Sequence, residues 1–334
     1  MRRSIQLTLG VGISLVAVWL AMRDVRLAEV WGALRHANYG GFVLVMALTL
    51  LGFWIRALRW RWLISTPRPL PLGSLFSATM IGFMANNLLP LRLGEFVRAW
   101  VLGRRERISK AMVFATVVVE RVVDMITLLA IFGLALLVHP LTERTEAGRL
   151  TRAGAGVLLV ACAALTVFVV AVERSPRLTS RLMAWATGLL PERARDGAQA
   201  TLRRFLEGLG LFRSLPRLAW VFLLSFVMFG AYAGCLTVGM WAVHITVPWY
   251  GGLVMLVITA IGIMVPAAPG YIGTLNLACV AGLALFSVGK ELSVPFSWFY
   301  WFSQWLPISL VGLYYLHREG LTLRSLTRAG EGPA

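Results

Sequence analysis

The feature that most constrains this chain is a 25-residue run, Ala219–Val243, without a single charged side chain. A second uncharged run covers Ala153–Val172. Crossing a hydrocarbon layer of about 30 Å takes roughly 20 consecutive apolar residues in a helix. A helix is needed because no water is present there to satisfy exposed backbone groups. The rest of the chain agrees. Of its 334 residues 58% are apolar and only 14% charged, and a soluble domain of that size could not keep so much apolar surface from water. The sequence predicts an all-α, polytopic integral membrane bundle.

Ile5–Met22 follows Arg2 and Arg3 and lacks a convincing small-x-small cleavage site, so it reads as a retained first span. Asp24–Asn38 carries Leu27, Val30, Trp31 and Leu34 at helical spacing, the pattern of an interfacial helix. A second span near Gly41–Ile55 ends in the run IRALRWRWL, where Trp54, Trp60 and Trp62 alternate with Arg56, Arg59 and Arg61. Snorkelling arginines and aromatic rings both favour a membrane boundary, so the run reads as an anchor. Leu72–Leu89 contains Asn86-Asn87 and stops at Pro90, and Leu91–Gly103 then carries Arg92, Glu95 and Arg98. Two short, broken helices fit this better than one span. Ala111–Val138 holds Glu120, Arg121 and Asp124 near its middle, and Ala153–Val172 crosses back. Glu173–Arg217 has nine arginines against four acids and an apolar stripe of Leu202, Phe205, Leu206 and Leu209, as expected of amphipathic helices on the membrane surface. Spans follow near Leu218–Val243, Gly251–Val265, Gly270–Val288 and Val294–Leu316. One transmembrane domain over residues 1–318 is expected, with a cytoplasmic insertion at about 173–217 and a basic tail at 319–334.

The formal charge of +17 raises the question of nucleic acid, but 30 of the 32 basic residues are arginines clustered at the ends of apolar segments. That placement fits topology and anionic lipid head groups, not nucleic acid. With both termini cytoplasmic, the inside segments hold 22 basic residues and the outside segments seven. The bias predicts a multi-pass protein of a cytoplasmic membrane with both ends inside. Cys162, Cys235 and Cys279 are scattered through apolar segments, away from any His, so neither a disulfide framework nor a metal site is expected.

This tally leaves Arg92, Arg98 and Arg121 balanced against Glu95, Glu120 and Asp124 within the membrane. An ionised side chain at mid-bilayer costs about 2.5–3.5 kcal/mol even on mild insertion scales, so such groups pair and face protein or water. Glu120 and Asp124 share a helix face that Arg121 borders, and Arg92, Glu95 and Arg98 recur every third residue along another. If the two faces meet, the six charges neutralise one another. Two readings stay open: a buried salt-bridge lock, and a polar cavity for a charged head group.

Two helix breaks read alike. Pro90-Leu-Arg-Leu-Gly94-Glu95 and Pro269-Gly270-Tyr-Ile-Gly273-Thr274 each place Gly four residues after Pro and a polar side chain next, and Pro266 precedes the second. Paired breaks in two halves point to a central site between re-entrant hairpins of an inverted repeat. Helix N-termini there offer N–H donors to a phosphate, and Arg92 adds a guanidinium fork.

The strings NNLLPLRLGEFVRAWVL, SKAMVFA, TVVVERVVDM and PAAPGYIGTL together resemble the flippase-like transmembrane domain of lysylphosphatidylglycerol synthases, over about residues 5–318. The resemblance implies a helical bundle with re-entrant hairpins and lipid translocation between leaflets. It also implies roles for Asn87, Arg92, Glu95, Glu120, Arg121 and Asp124, which match the family's recurrent polar positions. The full synthases carry a soluble aminoacyl-transfer domain after this region, and the chain ends at Ala334, so synthesis of lysyl-lipid is not expected of it.

The expected function is flippase or scramblase movement of a phosphate-bearing or other polar-head-group lipid, without a cofactor. Asn87, Arg92, Glu95, Arg98, Glu120, Arg121 and Asp124 would bind substrate. Pro90, Gly94, Pro266, Pro269, Gly270, Gly273 and Thr274 would form the gate. No Gly-x4-Gly-Lys-Ser/Thr motif occurs, so direct ATP coupling has no support. The alternatives are an integral membrane transferase acting on a lipid-linked substrate and a non-catalytic scaffold. Partners are membrane lipids with anionic head groups, and abundant Gly and Ala permit self-association.

Overall fold

The computed structural model of the protein describes residues 2–23, 25–64, 66, 68–89, 93–138, 215–265 and 267–329, with eight isolated positions between 157 and 181. Ala153–Val172 and Glu173–Arg217 therefore lie almost wholly outside the described residues, as do Pro90, Arg92 and Pro266. Among the described residues the chain is helical and without strands. The helices are α1 (Arg2–Met22), α2 (Leu27–Arg35), α3 (Tyr39–Leu63), α4 (Leu72–Leu88), α5 (Gly94–Arg105), α6 (Lys110–Val138), α7 (Leu215–Ala242), α8 (Gly251–Met264), α9 (Thr274–Ala284), α10 (Lys290–Arg318) and α11 (Leu323–Ala329). The span expected over Gly270–Val288 is shorter than read: a 3-10 turn at Pro269–Tyr271 precedes α9.

The central pair is α3 against α7. Asn38 N donates to Ala242 O, Arg59 reaches Ser225, and Trp62 stacks with Trp220. Contacts at residue numbers that rise in one helix as they fall in the other make the pair antiparallel. Among the described residues, α3 and α7 are also the two helices long and apolar enough to cross a membrane by length and composition alone. In α6 the charged residues interrupt the apolar run.

Each central helix is followed by a helical hairpin. In the first, Asn86 Oδ1 accepts from Gly94 N at 2.7 Å, and Arg105 Nη1 donates to Ser77 Oγ at 3.1 Å, so α4 and α5 run antiparallel. In the second, Gly262 abuts Ala278 and Gly282 abuts Met255, giving the same antiparallel course for α8 and α9. The first hairpin starts at the end of the bundle where α3 finishes, and the second where α7 finishes. Because α3 and α7 run oppositely, the hairpins enter from opposite ends.

Their tips meet. A Cβ built on Gly270 would lie 3.5 Å from Asn87 O, at the end of α4. Trp301 of α10 donates its indole N–H to Gly270 O at 2.7 Å and stacks on Trp305. The second break needs its glycines: Gly270 and Gly273 have φ of 73° and 89°. At Gly273 a side chain would press within 2.5 Å of Ser14 O on α1. Gly273→Ala is expected to lose about 1–3 kcal/mol from left-handed strain and overpacking. A thermal melt in detergent reads this, and an unchanged midpoint would contradict it.

The interfacial helix expected over Asp24–Asn38 is α2. α2 turns Val30 inward and leaves Trp31 exposed, as an amphipathic helix should. The tail does not simply trail away: α11 packs on α5 through a fully buried Leu326.

Candidate functional site

The C-terminal third of α3 carries Arg56, Arg59 and Trp60 at i, i+3 and i+4, hence on one face. All three are buried, Arg59 and Trp60 completely. This corrects the reading of IRALRWRWL as an interfacial anchor. Only Trp54, Arg61 and Trp62 are exposed. The helix continues to Leu63, two turns past the expected Ile55, and the added turns carry Arg59 and Trp60 into the bundle.

These arginines meet the carboxylates of α6. Arg56 Nη1 lies 2.5 Å from Glu120 Oε1 and 3.2 Å from Asp124 Oδ2. Arg59 Nη1 lies 2.6 Å from Asp124 Oδ1 and donates also to Ser225 Oγ of α7 at 2.7 Å, while its Nη2 is 3.2 Å from Glu120. From α5, Arg98 Nη1 reaches Glu120 Oε2 at 2.8 Å. Aromatic faces cover the guanidinium groups. Arg98 sits 3.6 Å from the centroid of Trp60 and Arg56 5.2 Å from that of Phe83, while the Trp60 N–H is held by Thr116. Weakly hydrated, planar guanidinium suits such a stacked, desolvated place better than ammonium would.

The two expected faces do meet, on α5 and α6, but the charges within the bundle do not balance. Among the described residues, Arg56, Arg59 and Arg98 oppose Glu120 and Asp124, so the closed part of the network holds one excess cation. Several guanidinium N–H groups, among them Arg59 Nε and Arg98 Nε, are buried with no acceptor among the described residues. An uncompensated buried charge is expensive.

The network has one open edge. Arg121 reaches Glu95 at 3.7 Å and Asp124 at 3.7 Å, with the Arg121 side chain 39% and that of Glu95 32% exposed. Phe96 and Phe114, stacked at 4.8 Å, flank this edge on α5 and α6. Arg121 therefore joins the enclosed Asp124 to the surface between two helices.

Asn87 does not join the ions. Its amide donates to Ser309 Oγ at 3.1 Å and seats the first hairpin against α10. Gly94 makes the closest approach within that hairpin, and Thr274 caps back to Tyr271 O at the start of α9. Pro269 and Gly270 form the second turn. What the residue reading missed was Arg56 and Arg59. Their one-turn spacing on a single face, matching that of Glu120 and Asp124, was the available signal.

A smaller neutral cluster lies further along α3. Gln304 Nε2 donates to Thr49 Oγ1 at 2.7 Å, and Thr49 contacts Cys235 Sγ at 3.7 Å. Among the described residues no three His, Cys, Asp or Glu side chains are grouped as metal ligands.

With this geometry established, known proteins provide context. Residues 7–312 match the family described as the lysylphosphatidylglycerol synthase TM region. A UPF0104 membrane protein of Methanothermobacter thermautotrophicus is 29% identical over 212 residues, 62% of this chain and 61% of that protein. A second UPF0104 membrane protein, from Methanocaldococcus jannaschii, is 31% identical over 120 residues, 34% of each chain. The similarity thus spans less than two thirds of the length of either relative.

Proposed function

We propose that this chain, which belongs to the lysylphosphatidylglycerol synthase transmembrane-region family, translocates lipids with an anionic, phosphate-bearing head group between membrane leaflets. The observation that carries this reading is the arginine-rich network with its partly exposed Arg121–Glu95 edge. Arg121 and Glu95 engage the head group, and the enclosed ions of α3, α5 and α6 hold Arg121's helix in place and bias the site toward negative charge. Acyl or prenyl chains stay in the lipid.

The arrangement of the two hairpins supports an inverted repeat. The unit α3, hairpin, α6 corresponds to α7, hairpin, α10; α6 and α10 each have 29 residues and start at Lys110 and Lys290. The α4 hairpin packs on α10, and the α8 hairpin packs reciprocally on α6. In this reading both hairpins are re-entrant, each open to one side of the membrane, and movement at their touching tips changes access. Moving Arg56 and Arg59 out of the cytoplasmic count leaves 20 inside cations against seven outside, which still favours cytoplasmic termini.

A second reading, a packing lock, is favoured by the near-complete burial of Arg59 and Glu120. Transferase chemistry is disfavoured, because carboxylates held by two or three guanidinium groups make poor bases. The test is reconstitution into liposomes with labelled phosphatidylglycerol and phosphatidylcholine. Faster transbilayer movement of the anionic lipid than in empty vesicles is expected. Movement no faster than in empty vesicles, for either lipid, would remove the proposal.

A further inference from the structure

The residues matching the family model stop at 312, and the segment that follows has a structure of its own. α10 runs on to Arg318 and ends in a tight reversal, where Gly320 has φ of 63° and Leu321 N donates back to Leu316 O at 3.0 Å. Leu316 and Leu321 are both buried across that reversal, the apolar contact that commonly accompanies such a helix end. Thr322 and Ser325 then cap the start of α11: Ser325 Oγ accepts from Thr322 N at 3.1 Å, and Thr322 Oγ1 from Ser325 N at 3.3 Å. One turn on, Leu326 is fully buried in the same apolar cluster as Val101 and Leu102 of α5. At the reversal itself Glu319 ties three helices together. Its Oε1 accepts from Arg105 of α5 and from Ser77 Oγ of α4 at 3.0 Å, and Arg105 Nη1 donates also to Ser77 Oγ at 3.1 Å. Ser77 and Arg105 lie at the base of the first hairpin, far from its tip at Asn86 and Gly94. The negative end of the α10 dipole disfavours a carboxylate at Glu319, and the Arg105 guanidinium compensates it.

We propose that residues 319–329 form a strap that holds the base of the first hairpin shut against α10, and that releasing the strap frees α5 to shift. Arg98 stands two turns before Arg105 on the same helix, so a shift at the base of α5 moves a cation of the ion network. The grip comes from Leu321, Leu326 and an ion pair that is partly open to solvent, its Arg105 side chain 37% and its Glu319 side chain 16% exposed. A contact of that kind lets go at less cost than the helix packing beneath it. In lipid movement of the sort proposed above, the strap sets how readily the first hairpin yields. The strap itself can be read without any transport.

The experiment is amide hydrogen exchange of the full chain in detergent micelles, read by mass spectrometry at residues 99–108, the base of α5 and the turn after it. The amides of α8, in the second hairpin, serve as the internal reference. Glu319→Gln should speed exchange at the base by about threefold, and Leu326→Ala by on the order of tenfold, with α8 unchanged in both. Leu323→Ala removes an exposed leucine from the same short helix and should alter neither region. Exchange at the wild-type rate at the base in Leu326→Ala would overturn the strap, and so would an equal rise in α8, which marks a general loss of stability. If Leu326→Ala does not give folded protein, Glu319→Gln decides alone by the same two criteria. Failure here leaves the translocation reading standing, and failure of the liposome assay leaves the strap standing.

Discussion

Glu120→Gln should destabilise the protein by about 3–5 kcal/mol, the largest effect expected of any single substitution in the ion network. Glu120 is fully buried and takes contacts from Arg56, Arg59 and Arg98. Gln keeps the shape but removes the charge, leaving three guanidinium groups to share Asp124. Two excess cations would then be enclosed where the wild type has one. The amide also brings two donors into a place already crowded with them, since Arg98 Nε and Arg59 Nε lack acceptors among the described residues. Thermal unfolding in detergent and the yield of monodisperse protein would read this. Pairing the change with Arg98→Met should recover part of the loss, because removing both partners of a buried ion pair costs far less than stranding one. A wild-type melting profile in Glu120→Gln would mean that water or another anion already neutralises the cluster.

The next largest effect falls on the first hairpin. Gly94 begins α5 with its backbone against α4, and a Cβ there would collide with the carbonyl of Gly82 and lie 2.5 Å from Asn86 Cγ. The obstructing atoms include backbone, which cannot rotate aside as a side-chain end can. Gly94→Ala should therefore part α4 from α5, break the Asn86–Gly94 hydrogen bond and cost about 3 kcal/mol, the upper part of the range for overpacking. Alanine's better helix propensity, about 1 kcal/mol, does not offset this. The displacement also moves Arg98, one turn along α5, away from Glu120, so lipid movement should fall together with stability. Gly133→Ala in α6, where a Cβ meets no atom of the described residues within 4 Å, is the matched control and should be neutral to about 1 kcal/mol stabilising. Equal melting points for the two variants would refute the close packing of the hairpin.

Much of this fold could be read from residue order because hydrocarbon imposes simple rules. Uncharged length marks α3 and α7, and proline with paired asparagines marks the ends of the hairpin helices. The positions of α8 and α10 followed within a few residues. Arg56 and Arg59 were harder to place. Arginine and tryptophan at the end of an apolar run have an ordinary explanation as interface anchors, and nothing local tells how many more turns the helix makes. Their partners Glu120 and Asp124 lie more than 60 residues away, a pairing that only tertiary packing creates. The tip-to-tip meeting of the hairpins was legible in part: the two Pro–Gly breaks implied it, but the Trp301–Trp305 support went unread although its spacing is helical. The family resemblance groups Asn87 with the ions; at the end of α4 its side chain points instead to Ser309.

Whether the network merely locks the bundle or handles lipid can be decided at Arg121. Its contacts to Glu95 and Asp124 are long, at 3.7 Å, and partly exposed, so Arg121→Gln should cost no more than about 1 kcal/mol of stability. Loss of a charge-assisted contact to a head group should slow its movement by on the order of tenfold or more. The decisive measurement takes transbilayer movement of labelled phosphatidylglycerol and the melting point from one preparation of Arg121→Gln. The account predicts slowed movement with the melting point preserved. Movement at the wild-type rate, with or without a fall in melting point, would contradict it.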